Sequence, residues 1–205
     1  ADETQVLSWA QGGSLILWDV ASGEQVIMEE DGPVDGAIFN ADETQILSWG
    51  RHGHLTLWDA ANGNVIMRLE AEGAIGGATF NADESIISAW GVLGTIYAWD
   101  AADSTPLYIA QHDAEIKGAS WSADTTRLLS WSNDGTIREW DVANGEETHQ
   151  LNLNHPLGGA TYDSAETRVL VHEEGGTNWG LGTAYIWDME NDEITHEFIH
   201  PERPI

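Results

Sequence analysis

His112, Ser130 and Asp134 are the residues of this chain whose types could do chemistry together. A histidine set between a hydroxyl and a carboxylate is the arrangement that activates a serine nucleophile. No Gly-x-Ser-x-Gly elbow surrounds Ser130, and no oxyanion-binding turn accompanies it, so a hydrolase reading has only the residue types behind it. His52 and His54, two residues apart, could fill two corners of a metal site, but the sequence places no third ligand with them. Glu173 and Glu174 follow His172 and could bind calcium weakly. With 35 Asp and Glu in 205 residues, such pairs arise from composition alone. The expectation is therefore no enzyme, no cofactor and no metal.

The His-Ser-Asp set has to be positioned by a phrase that recurs along the chain. LLSWSNDGTIREWD, residues 128–141, reads as two short strands joined at Asn133-Asp134-Gly135, and an Asp-Gly pair between apolar runs is a strong hairpin signal. The phrase returns as LSWAQGGSLILWD, LSWGRHGHLTLWD and ISAWGVLGTIYAWD, then in a stretched form ending AYIWD. Each copy closes on a Trp-Asp pair: Trp18-Asp19, Trp58-Asp59, Trp99-Asp100, Trp140-Asp141 and Trp187-Asp188. Each tryptophan falls 40, 41, 41 or 47 residues after the one before it.

Every full repeat offers four strands, a to d. Strand a reads VDGAIF, AIGGATF, EIKGASW and LGGATY, with Gly36-Ala37, Gly77-Ala78, Gly118-Ala119 and Gly159-Ala160 in one column. A repeated glycine inside a strand marks a close approach, and no strand-to-helix context turns it into a phosphate loop. Strand b is QILSW or its equivalent, with Ser8, Ser48, Ser88, Ser130 and finally Val171 taken as one column. Strand c is HLTLWD or its equivalent. Turns such as Asn62-Gly63 and Asn144-Gly145 lead into strand d. No stretch keeps a period of 3.6, which predicts an all-β chain with essentially no helix. The repeats form one domain over residues 1–205, divided at about 1–33, 34–73, 74–114, 115–155 and 156–205. Residues 1–5 repeat the ADETQ at Ala41 without the strand a that precedes it there, so the first repeat is expected to hold three strands.

A period near 40 with Trp-Asp at the end of its third strand resembles the WD-repeat β-propeller family over the whole chain. The resemblance implies five four-stranded blades, the first lacking strand a, forming an arc of a larger ring. It also implies a hydrogen-bonded tetrad in which a histidine before strand a, a strand-b serine and a b–c turn aspartate lead to the strand-c tryptophan. His112, Ser130, Asp134 and Trp140 match it in full. Gly12, His52 and Leu93 stand where the other repeats need the aspartate. The family's usual work implies a non-catalytic scaffold or sensor module that binds protein partners. A structural or surface-assembly element, pairing with further repeats at the chain ends, is the alternative.

Seven Lys and Arg against 35 acidic residues give a formal net charge of −28. Nucleic acid and anionic membranes are repelled by such a field, so neither is expected as a partner. A cationic partner and a device for solubility in salt both remain open. The chain has no cysteine, which excludes disulfides. The a–b and c–d turns hardly change between repeats, whereas the b–c turns do. The last b–c turn carries six extra residues, HEEGGTNWGLG, and Glu173, Glu174, Asn178 and Trp179 in it are the candidate binding loop.

Overall fold

A computed structural model describes residues 4–173 and 182–199. Among them there are 19 strands and no helix. The strands are gathered into five antiparallel sheets. The first has three, β1(Gln5–Trp9), β2(Ser14–Asp19) and β3(Gln25–Glu29), in the order β1-β2-β3. The second holds β4(Gly36–Phe39), β5(Gln45–Trp49), β6(His54–Asp59) and β7(Val65–Glu70). The third holds β8(Ile75–Phe80), β9(Ile86–Gly91), β10(Thr95–Asp100) and β11(Pro106–Gln111). The fourth holds β12(Ile116–Trp121), β13(Arg127–Ser132), β14(Thr136–Asp141) and β15(Glu147–Asn152). The fifth holds β16(Leu157–Tyr162), β17(Arg168–Glu173), β18(Thr183–Asp188) and β19(Glu193–Ile199). Every sheet is a meander of sequence neighbours, and the three-stranded first sheet agrees with the expectation from its sequence.

The chain divides into two compact units, Ala1–Val92 with Tyr97–Pro106 and Leu93–Ile96 with Leu107–Ile205. The division runs through the third sheet. In the first unit, Leu15, Leu17 and Met28 of the first sheet pack on Ala37, Ile46 and Trp58 of the second. Leu47, Leu55, Leu57 and Leu69 on the other face of the second sheet pack on Ile75, Ala78, Ile87 and Trp99 of the third. In the second unit, Leu129 and Ile137 meet Leu157, Val169, Val171 and Trp187. Each such side chain taken fully out of water stabilises by roughly 1.5–3 kcal/mol. Apolar residues lie on both faces of the inner strands of the second sheet because it packs on the first sheet with one face and on the third with the other.

The aspartates of the Trp-Asp pairs hold the c–d turns. Asp59, Asp100 and Asp141 each accept the backbone N–H two residues on, at 2.8 Å. Asp19 takes the amides of Ala21 and Ser22, and Asp188 those of Glu190 and Asn191. These turns pass through a left-handed residue: Gly23, Gly63 and Gly145 in three of them, but Ser104 and Asp192 in the other two. The a–b turns carry non-glycine residues at positive φ in one column, Glu43, Glu84, Thr125 and Glu166. Two of these glutamates reach back into the preceding sheet. Glu84 accepts from Asn40 Nδ2 and the Ala41 amide, and Glu166 accepts from the Ala123 amide and from Arg127.

The pairing register corrects one sequence assignment. Ala37 lies opposite Ser48, Ala119 opposite Ser130 and Ala160 opposite Val171, but Ala78 lies opposite Ala89, not Ser88. Ser88 sits one place earlier, opposite Thr79, where β5 carries Leu47 opposite Ile38. Because side chains alternate along a strand, that one-residue step moves Ser88 to the opposite face. Its hydroxyl is buried there without a hydrogen-bond partner.

Candidate functional site

The His-Ser-Asp set is assembled in the fourth sheet, inside the second unit. His112 follows β11, Ser130 sits in the middle of β13 and Asp134 in the turn to β14, which brings up Trp140. The Trp140 indole N–H donates to Ser130 Oγ at 2.8 Å, and Ser130 Oγ lies 2.7 Å from His112 Nε2. Nε2 therefore accepts the serine proton, and Nδ1 carries the ring hydrogen. Nδ1 lies 3.2 Å from Asp134 Oδ2 and 3.0 Å from Thr136 Oγ1. Thr136 donates its own hydroxyl to Asp134 Oδ1, and the Asp113 amide donates to Oδ2. Hence one chain of bonds satisfies an indole, a hydroxyl, an imidazole and a carboxylate.

Burial decides what this set can do. Ser130 is 0% exposed and His112 1% exposed. Desolvation pushes the imidazole down to about 4, so it is neutral at pH 7. Burial pulls Asp134 upward, yet the Thr136 hydroxyl and amide and the Asp113 amide outweigh it and hold the carboxyl below its usual range. A serine whose oxygen already takes an indole N–H, with no exposed surface, presents no attacking atom to a substrate. The geometry suits cohesion between strands.

The other sheets show what happens when a member is missing. Trp18 and Trp58 also donate to Ser8 and Ser48, at 2.9 and 2.8 Å. In the second sheet the place of His112 is taken by Glu30, and Ser48 donates to its carboxylate at 2.7 Å. In the third and fifth sheets that place falls on Ala71 and Leu153, and the serine place on Ala89 and Val171. Polar stands with polar and apolar with apolar. Trp187, which has no serine, donates its indole N–H to Asp192 at 3.1 Å. Glu30 lies six residues before Gly36, as His112 lies six before Gly118, and that spacing is the signal that would have found it.

A second cluster was not legible as a site. Glu139 is 1% exposed, in the β14 column where β2 and β6 carry Leu17 and Leu57. Its carboxylate accepts from Arg127 Nη1 at 3.0 Å, Tyr162 OH at 2.8 Å, Thr148 Oγ1 at 2.7 Å and His149 Nδ1 at 2.8 Å. Burial pushes Glu139 up, but these donors together hold it lowered. Burial beside this carboxylate raises the Tyr162 hydroxyl instead. Arg127 also reaches Glu166 at 2.7 Å and lies over the Tyr162 ring. The cluster joins the fourth sheet to the fifth with charge where the first two sheets use leucine and the third has Ala98.

The remaining candidates separate. His52 and His54 border one small cavity of 20 Å³ together with Glu30, Asp31 and Trp49, too little room for anything larger than water. Among the described residues, no three His, Asp or Glu side chains are grouped to hold a metal ion. Glu173 accepts from Tyr185 OH at 2.9 Å and from the Thr183 amide at 3.1 Å, closing the base of the last b–c loop. His155 Nδ1 is 3.0 Å from the same carboxylate, but the angle is not that of a hydrogen bond. Glu174, Asn178 and Trp179 lie outside the described residues.

Five antiparallel meanders along one repeated sequence define a repeat β-protein. No family model matches the chain, and no curated protein matches it. Among solved structures it is similar to the computationally designed Ika8 protein, with a TM-score of 0.79 at 20% identity. That alignment covers 97% of this chain, which spans 59% of the designed protein's length. At that identity the likeness is one of fold.

Proposed function

We propose that this chain is a WD-repeat propeller array, an arc of a larger ring, acting as a non-catalytic scaffold that holds a protein partner on its b–c turns. The observation that carries the reading is the strand-c indole donating to a strand-b serine in three sheets, extended in one to a buried histidine and aspartate. Residues that could do chemistry are used up as cohesion, so the varied surface is left for recognition. That surface includes exposed Arg51, His52, Val92 and Leu93. The a–b turns repeat one hydrogen-bonded design, with Asp42, Asp83 and Asp124 each bonded to the hydroxyl two residues on.

The test places a photocrosslinking residue at His52 or Leu93, and separately at Asp42 or Asp83. A scaffold of this kind forms a defined adduct from the first pair and none from the second. Equal labelling from both, or labelling from the a–b turns alone, overturns the reading. The assembly alternative is favoured by one observation, the exposed apolar side chains Val6 and Trp9 on β1 and Val20 just after β2.

A further inference from the structure

We propose that the crevice between the c–d turns of the first and second sheets is a binding site for an alkylguanidinium, whose N–H groups donate to the side-chain carbonyl of Gln5 while its stem lies along Leu17, Val26 and Ala60. Neither the crevice nor its comparison with the fourth and fifth sheets depends on the scaffold reading. The crevice has a volume of 570 Å³, ample for a small organic ligand. Gln5 Oε1 is buried in its wall with no hydrogen-bond partner. A buried acceptor left unpaired costs free energy, and a donor brought to it recovers that cost.

The fourth and fifth sheets show what fits in this place. Gln5 lies opposite Asp19, as Arg127 lies opposite Asp141. Leu17 and Val26 are paired where the fourth sheet pairs Glu139 with His149. Ala60 follows the second Trp-Asp pair as Met189 follows the fifth. At the fourth and fifth sheets the Arg127 guanidinium lies between Glu139 and Glu166 and fills the junction. At the first and second sheets all four side chains are shorter, and the space a guanidinium would take is open. Leucine in place of Glu139 gives the guest an apolar wall for its stem. Negative charge comes instead from Asp19 and Glu24, which border the crevice.

The walls belong to the side of the first sheet that packs on the second. Leu17 and Ala60 are part of the core those two sheets share, and Val26 packs against it. Gln5 is on the same side, because side chains alternate along β1 and Leu7 also packs on that core. The crevice therefore owes nothing to what lies beside the outer edge of β1.

The experiment titrates the whole chain, labelled with nitrogen-15, at constant ionic strength with butylguanidinium, with butyltrimethylammonium and with the blocked peptide acetyl-Gly-Arg-Gly-amide. The expected result is saturable shifts of the Gln5 side-chain amide and of the Val26 and Ala61 backbone amides. Butyltrimethylammonium keeps the charge and the stem but has no N–H to donate, and its affinity should be about tenfold lower. Tighter binding of the peptide than of butylguanidinium supports an arginine of a partner as the source, and the reverse order supports a free small molecule. Gln5→Arg and Ala60→Met each bring into the crevice a side chain that the fourth and fifth sheets already use there, and each should abolish the shifts. Absence of saturable shifts at millimolar ligand, equal affinity for butyltrimethylammonium, or undiminished binding by a folded Gln5→Arg or Ala60→Met variant would each overturn the proposal. None of these outcomes bears on crosslinking from the b–c turns, so the two readings fail separately.

Discussion

Replacing the buried polar set of the fourth sheet with the apolar pair used by the fifth tests whether the bonds act as a unit. The changes are His112→Leu and Ser130→Val, singly and together, after Leu153 and Val171. Ser130→Val alone removes the acceptor of the Trp140 N–H and the donor to His112 Nε2. Two buried groups are then orphaned at about 1–3 kcal/mol each, for a loss of roughly 2–6 kcal/mol. His112→Leu alone costs about 1–3 kcal/mol, because the Ser130 hydroxyl, still accepting from Trp140, can donate only to the Arg138 carbonyl at 3.4 Å, while Asp134 retains Thr136 and the Asp113 amide. In the double variant only the indole N–H is left without a partner, again about 1–3 kcal/mol. The double should therefore be milder than the sum of the singles by on the order of 2 kcal/mol. Urea unfolding followed by circular dichroism measures each difference from the midpoint at constant slope. If the double equals the sum of the singles within about 0.5 kcal/mol, the bonds are independent and the argument fails.

Acid should unfold the second unit in two stages. His112 is held neutral at about 4 when folded and titrates near 6.5 when unfolded, so its contribution is complete above pH 6.5 and is lost as pH falls toward 4. That loss is of order 3 kcal/mol, and His112→Leu should flatten stability across this window; an unchanged slope would contradict it. Asp124, held at about 2 chiefly by the Ser122 hydroxyl and the Thr126 amide, adds a loss as pH falls from the ordinary carboxylate range toward 2. Glu139→Leu should destabilise by roughly 3–5 kcal/mol, because Arg127, Tyr162, Thr148 and His149 lose their shared carboxylate. A midpoint equal to wild type would make the cluster dispensable. Ser104→Gly relieves a side chain at φ +64 and should stabilise by about 1 kcal/mol, read as a rise in Tm. Sodium chloride raised to molar concentration should raise Tm, because screening weakens repulsion within a chain of charge −28, and a fall would refute that.

Strands, turns and the missing first strand were legible because each is written locally, in period-two apolar runs and Asp-Gly or Asn-Gly turns. The tetrad at His112 was legible through spacing inside one repeat. Ser88 misled because ISAW carries its serine one place early; counting ten residues back from Trp99, as in the first, second and fourth repeats, lands on Ala89. Glu30 was hidden because a carboxylate does the work of an imidazole there. Glu139 was hidden in a charged word, TIREWD, and its partners come from two other strands, Thr148 and His149 from β15 and Tyr162 from β16. Long-range partners of a buried charge leave no trace in the local pattern.

The glutamates that reach backward have a consequence for synthesis on the ribosome. The Ala41 and Ala123 amides are each closed by a residue 43 positions later, Glu84 or Glu166. At roughly 5–20 residues per second, each sheet leaves the ribosome several seconds before the clasp that secures its a–b turn. A nascent sheet is thus provisional until its successor is made, and each round of translation fastens the one before. Hydrogen exchange on a nascent chain stalled just after Phe80 should find the Ala41 amide open, and on one stalled well beyond Glu84 should find it shut.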